Sequence, residues 1–442
     1  MNTPTIVFAL LLAWPFSGIG MLSISEFLAI NVSGEVDKDG DHSDWIEIHN
    51  SGESPADLAG YYLTDDSDNL TKWKIPKGKI PANGYTIIHA SGKDFSSIFN
   101  TEVHANFSLS GDGEYLALVQ PDGITKAHEF APNYPDQQRD VSYGIANDRE
   151  ILGYFPNPSP GEANGAVSDG IVSSVTYSVK RGFFDEPISL QLTSDTPGAK
   201  ILYTDNGKAP SLFTGKTYTE PISISATTTI RARAEKAGFI LSKLKAHTYI
   251  FVDDVINQDT MSTKVTKDPV YGPLMKDALL KHPAISLITA DTDISKTTED
   301  SVSVEMIFPD GSDGFQIDAG VKRVGGHSLN AYPKNNMRLY FRSEYGAEKL
   351  RFPLYTDHPY TDIAADSFDQ LNLRSGSHDS LFYLGASSPP QAPSNGQYLR
   401  NRWISDMQFL MGHESLRGRW VHVYINGNYW GHYQILERNT QD

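Results

Sequence analysis

Closely spaced aspartates near the start of the chain are the first residues that could do metal chemistry. They are Asp37, Asp39, Asp41 and Asp44, in the sequence VDKDGDHSDW. Alternating carboxylates can converge on a hard cation such as Ca²⁺, but an EF-hand loop also needs Gly at its sixth position and Glu at its twelfth. Counted from Asp37, Gly40 is fourth and Ile48 is twelfth. The sequence therefore favours a solvated acidic turn, with calcium binding by these aspartates as the alternative.

The thirteen histidines are the other residues that could bind a metal. None of them has the HxxxH or HExxH spacing of a zinc site. His422 and His432 lie in one predicted hairpin, whose register places them on opposite faces, and His413 stands alone. We therefore predict that the histidines bind no metal.

Nucleophilic catalysis by serine is not indicated either. The chain has no GxSxG elbow, and Ser375 in RSGSHD is interpreted as a loop cap rather than a nucleophile.

The hairpin that carries two of these histidines runs from Arg419 to Arg438, around the turn Asn426-Gly427. Both turn residues tolerate positive φ, as a two-residue hairpin requires. The predicted pairs are Ile425 with Asn428, Val423 with Trp430 and Val421 with His432 on one face, and Tyr424 with Tyr429 and Trp420 with Tyr433 on the other. Both faces carry large apolar groups and therefore need cover, but only four residues follow the hairpin in this sequence. We therefore predict that the hairpin is an exposed surface open to association or aggregation.

Composition indicates a modular, mainly β protein. The chain has 442 residues, 39% of them hydrophobic, and a formal charge of −17 from 37 basic and 54 acidic residues. That length suits about three domains, and the acidic balance argues against nucleic acid as a partner. There is no cysteine, which excludes disulfides, thiolate catalysis and cysteine-ligated metals.

Residues 1–21 are predicted to be a signal peptide. They contain an apolar run, Ile6 to Phe16, that suits a signal peptide and is short for a membrane span. No Lys or Arg precedes this run, so an uncleaved anchor or a different start is the alternative. Cleavage near Ser17 to Met21 would make the protein extracellular or bound to the cell surface, with no membrane span left.

Residues 22–155 show short apolar segments separated by turns, which is typical of a small all-β sandwich. The segments ISEFLAIN, DWIEIHNSGESPADLAGYYLTDD, WKIPKGKIPANGYTIIHASG and HANFSLSGDGEYLALVQPDG follow one another in this order. This succession resembles the lamin-tail domain, an immunoglobulin-like sandwich that also occurs in secreted bacterial proteins. The resemblance implies a structural or interaction module without catalytic residues.

Residues 156–171, rich in Pro, Gly and Ser, are predicted to be a linker. Residues 172–252 then alternate like the strands of a second sandwich. The string PGAKILYTDNGKAPS, followed by ISISATTTIRARAEKAG, resembles the C-terminal sandwich module of chitobiases and hexosaminidases, although its turn is one residue shorter than the usual YTTDGSDPT. That resemblance implies an accessory spacer, with glycan binding as the alternative.

The remaining residues combine helical and strand patterns. We predict a short helix before Pro283, a hairpin that turns at Pro309 to Gly314, and a helix from Gly396 to Gly412 with Leu399, Trp403, Met407 and Leu410 or Met411 on one side. GVKRVGGHSLNAYPKNNMRLYFRSEYG, LNLRSGSHD, YLRNRWISDMQFLMG and RGRWVHVYINGNYWGHYQILER occur in order within residues 284–442. They resemble the N-terminal half of the CotH family of spore-coat protein kinases and their secreted relatives.

The CotH resemblance implies a kinase-like α+β domain of which this sequence has the first part. Lys334 lies in the segment that matches a family motif and is the best candidate for a phosphate contact, with Arg323 and Glu437 flanking it and Glu437 as its expected ion-pair partner. The alternative for all three is a surface strand residue or a buried structural pair. The family's catalytic and magnesium-binding aspartates follow the ILER motif, beyond this sequence. We therefore expect no kinase turnover, and ATP and Mg²⁺ would be cofactors only of a complete domain.

The fold class predicted from the whole sequence is multidomain and mainly β: two immunoglobulin-like sandwiches followed by a partial kinase-like domain. The function that follows is an exported modular bacterial protein whose sandwiches bind a protein or a cell-surface polymer. Two alternatives stay open. One is an active secreted protein kinase, if the gene continues past residue 442. The other is a carbohydrate-associated surface protein.

Overall fold

A computed structural model describes residues 22–94, 102–146, 151–326, 329, 334–347, 349–356, 365–376, 379 and 397–438. The chain divides into two compact units, Met1–Val167 and Ser168–Asp442. The predicted signal peptide, residues 1–21, lies outside the described residues. No helix among the described residues is both long enough and apolar enough to cross a membrane.

The first unit is a β-sandwich. Its strands are β1 (Leu22–Leu28), β2 (Asp44–Asn50), β3 (Ala56–Asp57), β4 (Tyr62–Thr64), β5 (Trp73–Lys74), β6 (Lys79–Ile80), β7 (Tyr85–Ala90), β8 (Leu116–Val119), β9 (Lys126–Phe130), β10 (Ser142–Ala146) and β11 (Ile151–Phe155). One sheet has the order β11-β10-β1-β2-β7 and the other β5-β4-β8-β9, while β3 and β6 pair separately. Phe27 and Ile46 of the first sheet share a buried core with Leu63 and Leu116 of the second. This core between two sheets is the sandwich that the apolar segments predicted.

The segment predicted as a linker is partly built into the first unit. The backbone N–H groups of Ser159 and Gly161 donate to the carboxylates of Glu26 and Glu47. The Asn164 amide donates to the carbonyl oxygens of Ser25 and Ile145, at 2.9 Å each. The Pro and Gly content predicts a linker, and in the structure several of its polar groups bond to residues of β1, β2 and β10. Composition alone could not reveal that these donors have partners far away in the sequence.

The second unit begins with another small sandwich. Its strands are β12 (Thr176–Tyr177), β13 (Gly182–Phe184), β14 (Ile188–Leu190), β15 (Leu192–Thr193), β16 (Lys200–Thr204), β17 (Lys216–Thr217), β18 (Ile222–Ile224), β19 (Thr228–Glu235) and β20 (Lys245–Phe251). The main sheet has the order β13-β20-β19-β16-β17, and the pairs β12-β15 and β14-β18 complete the layer that faces it. Strand β19 alternates as predicted, with Ile230, Ala232 and Ala234 buried in the core.

Short helices lead from this sandwich to the last part of the unit. They are α1 (Val252–Ile256), α2 (Thr263–Thr266), a 3₁₀ turn (Gly272–Leu274) and α3 (Met275–Leu279). The predicted helix before Pro283 therefore exists, but it is only five residues long. Leu279 is buried as expected, whereas Leu274 is 55% exposed because it precedes the helix.

The rest of the second unit is a closed β-barrel. Its strands, with one helix and one extra strand pair, are β21 (Ala284–Thr289), β22 (Asp300–Ile307), β23 (Gln316–Val324), β24 (Asn336–Tyr340), β25 (Leu350–Arg351), β26 (Ser367–Phe368), β27 (Gln370–Arg374), α4 (Arg400–Leu410), β28 (Gly418–Ile425) and β29 (Asn428–Leu436). The barrel order is β21-β22-β23-β24-β27-β29-β28. The parallel pairing of β28 with β21 closes the barrel. Strands, rather than helices, are therefore the main regular elements among the described residues of this part.

The C-terminal hairpin closes the barrel, so the prediction that it is exposed is wrong. β28 pairs with β21 and β29 pairs with β27, which leaves neither edge free. Val421 and Tyr433 belong to the barrel core, and Tyr424 packs on the other face against α1 and α3. The hairpin was correctly expected to need cover on both faces; the strands and helices before it supply that cover. Of its large apolar side chains, Trp430 remains 40% exposed.

The predicted register of this hairpin is correct only near its turn. Asn426 and Gly427 both have positive φ, and the pairs Ile425–Asn428 and Tyr424–Tyr429 are confirmed. Trp430 is then bulged out, so Val423 faces Gly431, and every later pair is shifted by one residue. His422 consequently lies directly opposite His432, and the prediction that they occupy opposite faces is wrong. A single bulge reverses the facing of all residues beyond it.

Helix α4 ends as predicted, since Gly412 has a φ of 79° at the C-terminal cap. Its apolar side, however, faces outward. Trp403 is 63% exposed and Leu410 is 69% exposed, whereas Phe409 on the opposite side is buried. The helical spacing therefore identified the apolar side of the helix but could not show that this side faces solvent.

Candidate functional site

The acidic turn near the start of the first unit surrounds a lysine ammonium group. The Nζ atom of Lys93 lies 2.7 Å from Asp37, 2.8 Å from Asp39 and 2.8 Å from Asp41. Among the described residues, these three aspartates are the one group of acidic or histidine ligand atoms close enough together to share a metal ion. Asp44 lies apart at the start of β2 and accepts the Leu109 N–H at 3.2 Å.

Asp37 is the buried centre of this arrangement. Burial opposes its ionisation, but hydrogen bonds from Lys93, the Asp41 N–H and the Ser43 hydroxyl hold the pKa of Asp37 well below its usual range. Burial opposes the charge of Lys93, but its hydrogen bonds to Asp37, Asp39 and Asp41 raise the pKa of Lys93 above its usual value. The predicted solvated acidic turn is therefore exposed at Asp39 and Asp41 but not at Asp37, and the cation between the three carboxylates is a lysine side chain. Calcium binding there would require displacing Lys93.

Two buried carboxylates face each other on β1 and β2. Glu26 and Glu47 are cross-strand partners, next to a bulge at Ser25, and both are fully buried. The Ser142 hydroxyl donates to Glu26, and the Ser25 hydroxyl donates to Glu47 at 2.6 Å. Burial raises the pKa of Glu47 to about 7, and the neighbouring Glu26 adds to that rise. Nothing in the sequence pattern singled out this pair, because DWIEIHN alternates like an ordinary strand.

Three imidazoles and a lysine gather on the hairpin. The ring centres of His422 and His432 are 5.1 Å apart, and that of His282 is 5.9 Å and 5.2 Å from them. His422 hydrogen-bonds the Ala278 carbonyl at 3.0 Å and the Tyr429 hydroxyl at 3.1 Å. Burial lowers the pKa of His422 to about 4 and that of His432 to about 3. Their ring nitrogens do not converge as a metal site would require.

The residues assigned to nucleotide binding by resemblance have separate partners. The Lys334 ammonium donates to the His432 carbonyl and lies 4.4 Å from the centre of the Tyr433 ring. Burial lowers the pKa of Lys334 to about 8. Arg323 pairs with Asp293 at 2.8 Å. These contacts leave the nucleotide assignment of Lys334 and Arg323 a prediction.

The ion pair predicted between Glu437 and Lys334 is wrong. Glu437 binds Arg417 instead, through two contacts of 3.3 Å to the guanidinium and one of 2.9 Å to the backbone N–H. Both side chains are about nine-tenths buried. The register of the last two strands explains this pairing. Gly418 pairs with Leu436, so the next residues outward, Arg417 and Glu437, lie beside each other at the end of the β28–β29 pair.

The second sandwich and the barrel share a core. Ile250 of β20 and Val255 of α1 are buried in one cluster with Ala284, Ile307 and Tyr424 of the barrel. Beside this cluster, the hydroxyls of Thr248 and Ser286 are 2.8 Å apart.

An ion pair completes this junction. Arg181 Nε lies 3.2 Å from an oxygen of Glu305, which is fully buried on β22. Burial raises the pKa of Glu305 to about 7, although Arg181 and Thr248 act in the opposite direction. This pair could not be predicted from the sequence, because Arg181 and Glu305 lie in different predicted domains.

Comparison with known proteins identifies two modules. The family model described as Lamin Tail Domain matches residues 20–131, and that of the chitobiase/beta-hexosaminidase C-terminal domain matches residues 179–245. Both resemblances drawn from the sequence are thereby confirmed. No curated protein matches the chain. The protein is thus a modular β-domain protein with lamin-tail-like and chitobiase C-terminal-like parts.

Proposed function

We propose that this is an exported modular protein whose sandwiches serve structural and interaction roles, and whose barrel is a CotH-type kinase-like domain that binds a nucleotide without turning it over. The observation that carries the proposal is the core shared by the second sandwich and the barrel. A module that shares its core with a neighbour cannot move independently of it, which suits a supporting role better than that of a tethered binding domain.

The hydrogen bonds at the junction support the same assignment. The Gln258 side chain, just after α1, donates to the Gly427 carbonyl at 3.0 Å and accepts the Tyr429 N–H at 2.9 Å. It therefore fastens the segment after the sandwich to the turn of the closing hairpin. We expect the sandwich and the barrel to unfold in one transition. Two calorimetric transitions within residues 168–442, assigned by hydrogen exchange, would contradict the supporting role.

Lys334 is the proposed phosphate contact. Its ammonium group has a carbonyl and a tyrosine ring beside it, and both are weaker partners for a full charge than a phosphate would be. Arg323 and Glu437, its expected companions, are already engaged with Asp293 and Arg417, so the proposed nucleotide contact rests on Lys334.

Calorimetric titration of the full chain with ATP and Mg²⁺ tests nucleotide binding. We expect saturable binding that Lys334→Met weakens and Lys322→Met does not, since Lys322 lies on β23 over the Tyr340 ring. Phosphate release in the same samples should not exceed the buffer blank. ATP consumption that Lys334→Met abolishes would establish an active kinase instead.

Export is tested separately. Expression in a bacterial host with residues 1–21 present should place the protein outside the cytoplasm, and removal of those residues should retain it inside. Equal retention of both forms in the cytoplasm would remove export from the proposal while leaving the binding test unaffected.

A further inference from the structure

The end of the barrel carries a small cavity beside the exposed face of Trp430. Its volume is about 60 Å³, and its lining includes Ile294, Met337 and Ile425, which also belong to the barrel core. The mouths of β-barrels are common places for small-molecule sites. The cavity therefore has an apolar floor that the rest of the barrel holds in place.

Side chains with hydrogen-bond donors and side chains with acceptors surround this apolar floor. Arg323, Asn335, Asp293 and Thr292 line the cavity. The Arg323 Nε atom is buried and has no hydrogen-bond partner among the described residues, although its Nη2 binds Asp293 at 2.8 Å. A buried donor left without a partner costs roughly 1–3 kcal/mol unless water or a ligand satisfies it. The Arg323 guanidinium thus contributes hydrogen-bond donors to the wall of the cavity.

Trp430 is presented to this site by the bulge in the hairpin. It is the residue left out of the β28–β29 pairing, and it is 40% exposed while its neighbours Tyr429 and Tyr433 are mostly buried. Bulges often redirect a side chain toward a functional site. A partly exposed indole next to a cavity offers a flat apolar surface for the face of a ring.

The mixture of donors and acceptors decides the class of ligand. The Arg323 guanidinium can only donate, whereas the Asp293 carboxylate, 82% exposed, can only accept. A free anion would be repelled by Asp293, but hydroxyl groups can both donate and accept. We propose that the barrel mouth binds a terminal sugar residue, with its ring over Trp430 and one substituent in the cavity bonded to Arg323 and Asp293.

This site is distinct from the sequence-based alternative of a glycan bound by the second sandwich. It also does not use Lys334, whose ammonium group contacts the His432 carbonyl. The sugar site can therefore stand if the full chain neither binds nor consumes ATP, and nucleotide binding can stand if no sugar binds. The two proposals fail independently.

The test is a titration of the full chain with individual neutral and N-acetylated monosaccharides, followed by calorimetry and tryptophan fluorescence. We expect saturable binding to at least one of them, with a Kd on the order of 1 mM, as is reasonable for a single small contact. Trp430→Ala and Arg323→Gln should each weaken it by about tenfold or more. Trp403→Ala is the matched control, because Trp403 is an exposed tryptophan on α4 away from the cavity lining.

Folding and anion binding are controlled in the same series. Asp293→Ala removes the exposed acceptor with little risk to the fold and should also weaken sugar binding, with an unchanged circular dichroism spectrum. Saturation by inorganic phosphate but by no sugar would overturn the proposal in favour of an anion site. No saturable response to any monosaccharide, or binding that is the same in Trp430→Ala and Arg323→Gln, would also overturn it.

Discussion

Each unit contains a cross-strand pair of identical titratable residues beside a β-bulge. In the first unit Glu26 faces Glu47 next to the bulge at Ser25; in the second His422 faces His432 next to the bulge at Trp430. The acidic pair is surrounded by hydroxyl and N–H donors, whereas the basic pair is surrounded mainly by aromatic rings. A bulge interrupts the in-out alternation, and both units use it to bring polar groups inside.

The difference between the pairs is their response to pH. The pKa of Glu47 is raised. Its contribution to the stability of the fold is therefore fully present below about pH 4.5, where it is neutral, and is lost as the pH rises toward 7. The pKa values of both histidines are lowered, so their contribution is complete above about pH 6.5 and is lost as the pH falls toward 4. The two pairs therefore favour opposite ends of the pH range.

A glycine lies beside each bulge, Gly144 in the first unit and Gly431 in the second, and replacing Gly144 should have the largest effect. A Cβ at Gly144 would lie 2.1 Å from the Ser25 carbonyl oxygen and 2.8 Å from the Glu26 Cα. Since backbone must move, we expect Gly144→Ala to destabilise the first unit by about 3 kcal/mol or more. Hydrogen-exchange mass spectrometry on β1 and β2 measures this loss.

Gly165→Ala is the matched control for that change, because a Cβ there meets no atom within 4 Å. It should alter stability by less than about 0.5 kcal/mol. Equal protection of β1 in both variants would show that the bulge can relax around an added methyl group.

Gly431→Ala is the corresponding change in the second unit and should cost about 2 kcal/mol. Gly431 has a φ of 144°, which side chains strongly disfavour, and a Cβ would lie 2.8 Å from the Lys334 Cε. The flexible lysine can yield, so the penalty should be smaller than at Gly144. Exchange of the β28 and β29 amides measures it, with Gly326→Ala, which has open space around it, as the control. A cost equal to or above that of Gly144→Ala would reverse the expected ranking.

Glu47→Gln tests the acidic pair. The variant cannot ionise, so its stability relative to the unmodified protein should rise by about 2 kcal/mol between pH 4 and pH 8, the range in which Glu47 loses its proton. Denaturant unfolding at both pH values gives this difference. Glu35→Gln, at an exposed position of the same unit, should show no such change. A pH-independent difference for Glu47→Gln would mean that Glu47 is not the titrating group.

The parts of this fold that sequence could predict are those set by local pattern. The Asn426-Gly427 turn, the Gly412 cap and the alternation of β19 follow from backbone preference and periodicity, and all are found. The bulge at Trp430 was not predictable, because the run NYWGHY alternates equally well without it. That one residue decided the pairing of His422 with His432 and the exposure of Trp430.

The candidate sites show the same limit. The spacing of Asp37, Asp39 and Asp41 left a shared cation as the alternative to a solvated turn, and it could not show that Lys93 from a distant loop lies between them. The partner of Glu437 was misassigned because tertiary pairing at a strand end depends on the register of the whole barrel. Sequence motifs indicated which residues carry charge, and long-range packing determined which charges meet.

His432→Phe gives the smallest expected effect and the closest test of the basic pair. Phenylalanine keeps the stacking that His432 makes on Trp420, at 4.7 Å between ring centres, but it cannot take up a proton. At pH 7.5 both proteins are uncharged at this position, so their stabilities should be similar. At pH 5 the unfolded protein protonates His432 while the folded protein resists, and we expect the variant to gain about 1 kcal/mol over the unmodified chain. His413→Phe, at an exposed position, should gain nothing. If His432→Phe instead gains stability equally at both pH values, its effect is one of packing, and the opposite pH responses of the two pairs would rest on His422 alone.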